Sequence, residues 1–518
     1  MISSPAPSSA VGPLGWLQVR IAGTHISRRA WSSAAAVAFV GALGLLAPAE
    51  HVVGSLLSDS YMTLYAGRWI ANHGIPHREV FTIAASGRAW IDQQWLAELT
   101  DYEMWKIGGY AGVALLSVAA IGVSYALLAA LMLRRGASVV LAICCSAMAI
   151  LPALPAMFIR AQTFAFPLFA VLLAICLTDS EHDCPQRRLI LLLPLLALWA
   201  NIHGSVLMAA GLAAAYLAYR ALNMARRGVW RSAFRCVALA FGALLMPMAT
   251  PYGSQIVHYY TELLGNRAIA AASPEWRPPT FPSLAFFLFV AILALVLISV
   301  TAHLIKRRRL SWPLIGATAA TALATALASR NDVWFAMIAA LLLADTARTW
   351  LPTQVPERMF LAVLAASAVG FAALGVGALA TRTSAQYEGL TPLHAISVAA
   401  AYAAHHPCDH ILADNDAASA LLWHDPSLAG RVAFDARLEQ YPPQLLYRWI
   451  TFQAADTKQW ARSTNGYQLL IGSSVYDPLL VHRLAHLARS TVLARDGRGI
   501  AVLNAAPTSG CAESGALS

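Results

Sequence analysis

The sequence has little charge. Asp, Glu, Lys and Arg make up 12% of its 518 residues, against roughly 25% in a soluble globular domain. That shortage excludes a single large water-soluble core. Cysteine is sparse as well, at seven. Cys144, Cys145, Cys176 and Cys236 lie in or near apolar runs and Cys184 in a polar loop, and none has metal-ligand spacing. Cys408 and Cys511 flank the hydrophilic C-terminal region and could pair if that region lies outside. There is no Gly-rich phosphate loop in the tail and no visible internal repeat. No cofactor is called for, and a divalent metal, though possible, is not indicated.

What is abundant is apolar sequence, 58% of the chain. The first run is Trp31–Ala49. Ala47-Pro48-Ala49 resembles a cleavage site, but the run is long enough to cross a bilayer and reads as a retained anchor. Further runs follow at Val113–Leu133, Val139–Met157, Phe164–Leu177, Leu189–Ala200, Val206–Leu222 and Val237–Met248. Others are Leu284–Leu304, Trp312–Ala328, Val333–Ala344 and Met359–Ala380, about eleven spans in all.

The formal net charge is +10. Its basic residues fall in short clusters between the runs: Arg28-Arg29, Arg134-Arg135, Arg187-Arg188, Arg220 to Arg235, Lys306 to Arg309, and Arg348 with Arg358. These occupy alternate loops, which is the positive-inside pattern of cytoplasmic loops and not a nucleic-acid footprint. The N-terminus is then cytoplasmic. The loops His51–Tyr110, Ile159–Thr163, Asn201–Gly204, Pro251–Pro282 and Arg330–Asp332, with everything after Thr381, fall outside.

The expected architecture is an all-α polytopic membrane domain with a small C-terminal α/β extracytoplasmic domain. Residues 1–30 form a cytoplasmic tail, 31–380 the membrane domain with a large outside loop 51–110, and 381–518 the extracytoplasmic domain. Strands are expected at His410–Ala413, Arg431–Phe434, Tyr467–Gly472, Thr491–Ala494 and Gly499–Leu503, alternating with helices; the last two strands form a hairpin at Asp496-Gly497. That domain shows no paired nucleophile and base. It reads as a support or acceptor-binding module, with Asp414, Asp416 and Asp435 the residues best placed to overturn this.

The first outside loop carries an unusual constellation. Asp59 follows the first run within a few residues and opens a helical stretch, Ser60 to Ile70. Gly74-Ile75-Pro76, Gly87-Arg88-Ala89-Trp90, Gln94-Trp95-Leu96-Ala97-Glu98 and Gly108-Gly109 follow. Later loops add Arg160-Ala161-Gln162, Trp199-Ala200-Asn201-Ile202-His203-Gly204 and Glu275-Trp276. Together these resemble bacterial membrane proteins of the GT-C glycosyltransferase superfamily, similar to protein-mannosyltransferase-like and arabinose-transferase-like enzymes. The resemblance covers the first span, its loop and the general layout.

It implies a GT-C-like, multi-pass protein of the bacterial inner membrane. Such enzymes move a sugar from a polyprenyl-phosphate donor to an extracytoplasmic acceptor, which can be a glycan, lipid or protein of the envelope. An acid early in the first outside loop serves as base, and Asp59 stands there. Many relatives carry two adjacent acids; this chain has Asp59-Ser60, which argues against a first-loop metal pair.

The chemistry needs a carboxylate near the acceptor hydroxyl and cations at the leaving phosphate. Arg160, Arg330 and His203 sit at outside ends of spans, where they could face a phosphate at headgroup depth. Glu275 and Glu98 could supply further acids, Asn201 a turn beside His203, and Trp95 and Trp276 a stacking face for a sugar ring. Each also has a plainer reading: interfacial anchors for the Arg residues, belt residues for the Trp residues, loop solvation for Glu98, a turn cap for Asn201 and His203, a helix cap for Asp59. A lipid-linked substrate transporter or flippase, and a non-catalytic assembly protein on the same scaffold, remain alternatives.

Overall fold

The computed structural model describes residues 20–21, 24–25, 28–52, 56–350, 357–474 and 477–504. Most of the 1–30 tail lies outside that set, as does Cys511 of the proposed pair. Helix α1 (Arg28–Val52) is followed by α2 (Ser58–His73) and the long α3 (Trp95–Arg134). α3 bends at Gly109, whose φ of 58° and ψ of −155° suit a residue without Cβ. The bend separates a loop-side segment from the apolar segment that crosses the membrane.

Among the described residues, eight helices are long and apolar enough to cross a membrane. The other expected runs are present as shorter helices: Leu192–Ala200, Trp312–Leu327 and Asp332–Ala347. Asp332–Ala347 is set apart by its packing. Val333 to Leu342 are buried without a break, so this helix is a central post with helices on every side. Trp334 packs edge-on to Phe166 and Phe169 there.

The basic clusters meet at one end. Arg135 bridges Glu181 and Asp345, Arg348 pairs with Asp345, and Arg348 also donates to the Arg135 carbonyl. Arg220 pairs with the buried Asp179. Loop 1 and the C-terminal tail occupy the opposite end.

The tail folds on a four-stranded sheet in the order Ile411–Ala413, Leu469–Ser473, Gly499–Asn504, Ser490–Arg495. The first pair is parallel and the others antiparallel. The hairpin turns at Asp496, whose Oδ1 accepts from the amides of Arg498 and Gly499.

The expected strand Arg431–Phe434 needs correction. Only Val432 pairs, in parallel bridges to Ile411 on one side and Thr82 on the other. Its ladder is shared: the Val432 carbonyl accepts from Ile83, the Ala433 carbonyl from Ala84, while Ala433 donates to Ile411. Loop 1 thus continues the edge of the tail's sheet.

Candidate functional site

The site begins with three local tethers. Leu57, not Asp59, stands at the N-cap position of α2 and has no side-chain cap bond, and Asp59 makes no capping bond either. The Ser60 hydroxyl accepts from the Leu57 amide and donates to the Ile159 carbonyl at 2.8 Å. An ionised acid could not donate that second bond, so the hydroxyl at this position fits the tether. It draws the first turn of α2 against the segment ending at Arg160. From the other side, Asp416 accepts from the Ser58 amide at 2.7 Å and Asn415 donates to the Ser58 hydroxyl at 2.8 Å.

Asp59 consequently meets Arg160, with Nη2 to Oδ2 at 3.3 Å. The same guanidinium grips Glu275 with both fork nitrogens, at 3.1 and 3.2 Å. Glu275 rides on the short turn Pro274–Trp276, which docks on the turn Ser329–Asn331 through the Ser329 amide to the Arg277 carbonyl. Arg330 therefore lies nearby. Its Nη1 is 3.8 Å from Glu275, and its plane stacks 4.1 Å from the Trp276 ring. Arg330 is the less committed of the two cations.

His203 completes this group. Its Nδ1 receives the Ser205 amide at 3.2 Å and lies 2.8 Å from the Ser205 hydroxyl. That hydroxyl accepts from Trp199 at 3.0 Å, so its own hydrogen is free to point at Nδ1. The ring proton is left on Nε2, which has no hydrogen-bond partner among the described residues. Burial, with Arg330 and Arg160 close by, holds His203 well below the usual histidine range, so it is neutral at neutral pH.

These groups line a cavity of about 1000 Å³ between the membrane helices and the tail. Burial raises the Asp59 carboxyl above the ordinary aspartate value, against the pull of Arg160. Burial alone would raise Glu275 too, but Arg160 and Arg330 together bring it down to about 2. The two acids are bridged by Arg160's own positive charge, so the space between them is filled by a guanidinium. Among the described residues no group of three or more His, Cys, Asp or Glu has the arrangement to hold a metal ion. Part of the rim is apolar: Leu264 and Leu327 line the cavity and are themselves exposed.

The other expected residues lie elsewhere. Trp95 donates to Asn201 at 2.8 Å, and Asn201 also donates to the Ala197 and Ala249 carbonyls; neither residue lines the cavity. Glu98 is buried against a separate void of about 10 Å³, space for roughly one water, beside Asp92, Arg437 and Glu439. Burial raises the Asp92 carboxyl there. Trp276 does line the large cavity, beneath Arg330.

Sequence reasoning passed over Glu439, Asn415 and Gln453, which also line it. They come from the tail, more than 350 residues after Asp59, and no periodicity marks them. The one available signal was the acid-rich stretch Asp435 to Glu439 directly after an apolar segment.

Fold and site define a class: a multi-pass membrane protein with a charged, partly apolar cavity enclosed between its helices and a small α/β domain. No protein-family model matches the chain, and no curated protein sequence does either. Among solved structures it is similar to the apo oligosaccharyltransferase of Archaeoglobus fulgidus, at 12% identity and TM-score 0.41, over 84% of this chain and 69% of that one. The same organism's enzyme, AglB, in complex with an inhibitory peptide and a dolichol-phosphate, gives 13% identity and TM-score 0.46, over 86% of this chain and 69% of that one. The mycobacterial arabinofuranosyltransferase AftD gives 15% and 0.47, over 93% of this chain but only 40% of its own. Both enzymes are members of the GT-C superfamily.

Proposed function

We propose that this protein is an inner-membrane glycosyltransferase that moves a sugar from a polyprenyl-phosphate donor to an extracytoplasmic acceptor. One observation supports it above the rest. The cavity sets a carboxylate, Asp59, beside two guanidinium groups and a neutral imidazole, under a rim of exposed leucines. That is the complement of an amphiphile with a phosphate head and a hydrocarbon chain. The end of the molecule carrying the Arg clusters is then cytoplasmic.

In this reading Arg330 and the Nε2–H of His203 take the phosphate. Both are less engaged by protein groups than Arg160. Arg160, held by Glu275, keeps Asp59 in place until substrate enters. The acceptor hydroxyl gives its proton to Asp59 as its oxygen attacks the anomeric carbon. The bond from that carbon to the phosphate oxygen breaks, and the electron pair leaves on the phosphate, where the cations stabilise it. A single displacement of this kind inverts the anomeric centre. Asp59 has the raised affinity for a proton that a base at this position needs, and Glu275, held ionised by its two arginines, does not.

The test is the lipid profile of cells lacking the protein. A polyprenyl-phosphate sugar should accumulate and return to normal with the wild-type chain but not with Asp59→Asn. An unchanged set of polyprenyl-linked species would overturn the proposal.

A further inference from the structure

The cavity has two chemically distinct walls. The membrane wall carries Arg160, Arg330 and His203. The tail wall carries Asn415, Glu439 and Gln453. The polar atoms of this second wall are arranged so that several are left over. The Asn415 amide donates to Gln453 Oε1 at 2.9 Å, which fixes the side-chain amide and leaves its Nε2 without a partner among the described residues. Asn415 Nδ2 is taken by Ser58, and its Oδ1 is buried with none. Burial pushes the Glu439 carboxyl up to about 7, though it meets its own backbone amide and feels the pull of Arg437. The nearby cation of the tail, Arg437, is already engaged by Glu79 and Asp435.

We infer that Glu439, Asn415 and Gln453 form the acceptor subsite, and that it takes a hydroxyl-rich glycan. Sugar hydroxyls both donate and accept, so they can satisfy the Glu439 carboxyl and the Gln453 amide N–H together. The subsite also faces the right way, since Asn415 is bonded to Ser58, the residue before Asp59. This inference rests on the transferase reading above.

The test uses the purified full-length chain in nanodiscs and saturation-transfer NMR. The probes are methyl hexosides and pentosides, a Ser/Thr-rich peptide, and bare polyprenyl phosphate. The glycosides should bind. Glu439→Gln and Gln453→Ala should each weaken the glycosides about tenfold, as expected for one lost hydrogen bond to a charged or buried partner. Polyprenyl phosphate should bind both variants as it binds wild type. If either variant fails to fold, by its melting temperature, the other carries the test. Unchanged glycoside binding in a folded variant, or binding of the peptide in place of glycosides, overturns the subsite. Failure of wild type to bind polyprenyl phosphate overturns the transferase reading and this subsite with it.

Discussion

Two arginines in this molecule are built alike and do different things. Arg437 and Arg160 are each buried, and each sits between two acids from distant parts of the chain. Around Arg437 little is open to solvent: its side chain is 2% exposed, and Glu79 and Asp435 are both at 0%. Trp90 stacks on it at 4.3 Å, and Tyr65 and Tyr441 give their hydroxyls to Asp435 at 2.8 Å each. Arg160 is 7% exposed, but its partners Asp59 and Glu275 are open by about a third, at 32% and 34%. The first triad rivets loop 1 to the tail. The second has the same charges with one side left to the cavity, so an incoming anion or hydroxyl can exchange places with its members. What separates a structural ion cluster from a reactive one here is access, not composition.

The comparison is most easily broken at the rivet. Arg437→Ala leaves two acids buried without their cation, a loss of about 3–5 kcal/mol. The variant should melt far lower in detergent, and limited proteolysis should release the tail. An unchanged melting temperature would mean the two clusters are not different in kind.

Asp59→Asn should do the reverse. Transfer from a polyprenyl-phosphate sugar should fall by about 10²–10⁴-fold, with the melting temperature close to wild type. Near-normal turnover would reduce Asp59 to a partner of Arg160 and send the search to Glu275 and Glu98.

Arg330→Lys keeps the charge but loses the planar fork and the stacking on Trp276. It should slow transfer about tenfold, the worth of one good bidentate contact. A full-rate Lys variant would show that only charge matters on that wall.

The smallest effect is in pH. A base acts only when deprotonated, and burial raises Asp59 above its ordinary value of 3.8. Transfer should therefore fail on the acid side at a pH higher than an exposed aspartate would set. Glu275, at about 2, stays ionised throughout and adds no limb. A rate that held steady into the ordinary aspartate range would contradict Asp59 as base.

Much of the fold was legible because the bilayer imposes a length on apolar runs and a bias on basic residues. The runs near the ends of which Asp59, Arg160, His203 and Arg330 stand told where those side chains would lie in height. They did not tell which would meet. That depended on tethers such as Ser60 to Ile159 and Ser329 to Arg277, which leave no periodic trace. Trp95 and Asn201 look the same in sequence as the cavity residues, yet they bond to each other. Arg431–Phe434 had the composition of a strand, but its hydrogen bonds are divided between loop 1 and Ile411. Nothing in the sequence pointed from Arg437 to its partner Glu79 across the chain.

The shared sheet edge also sets a timetable. Loop 1 leaves the ribosome early, and the tail that completes it comes last; Glu79 and Arg437 are 358 residues apart. At a synthesis rate of about 5–20 residues per second, loop 1 waits roughly twenty to seventy seconds for that partner. Through that interval Glu79 has no counter-ion, and the amides of Ile83 and Ala84 have no carbonyls to meet. The nascent chain therefore carries an open strand edge and an uncompensated acid on its loop side until its final domain arrives.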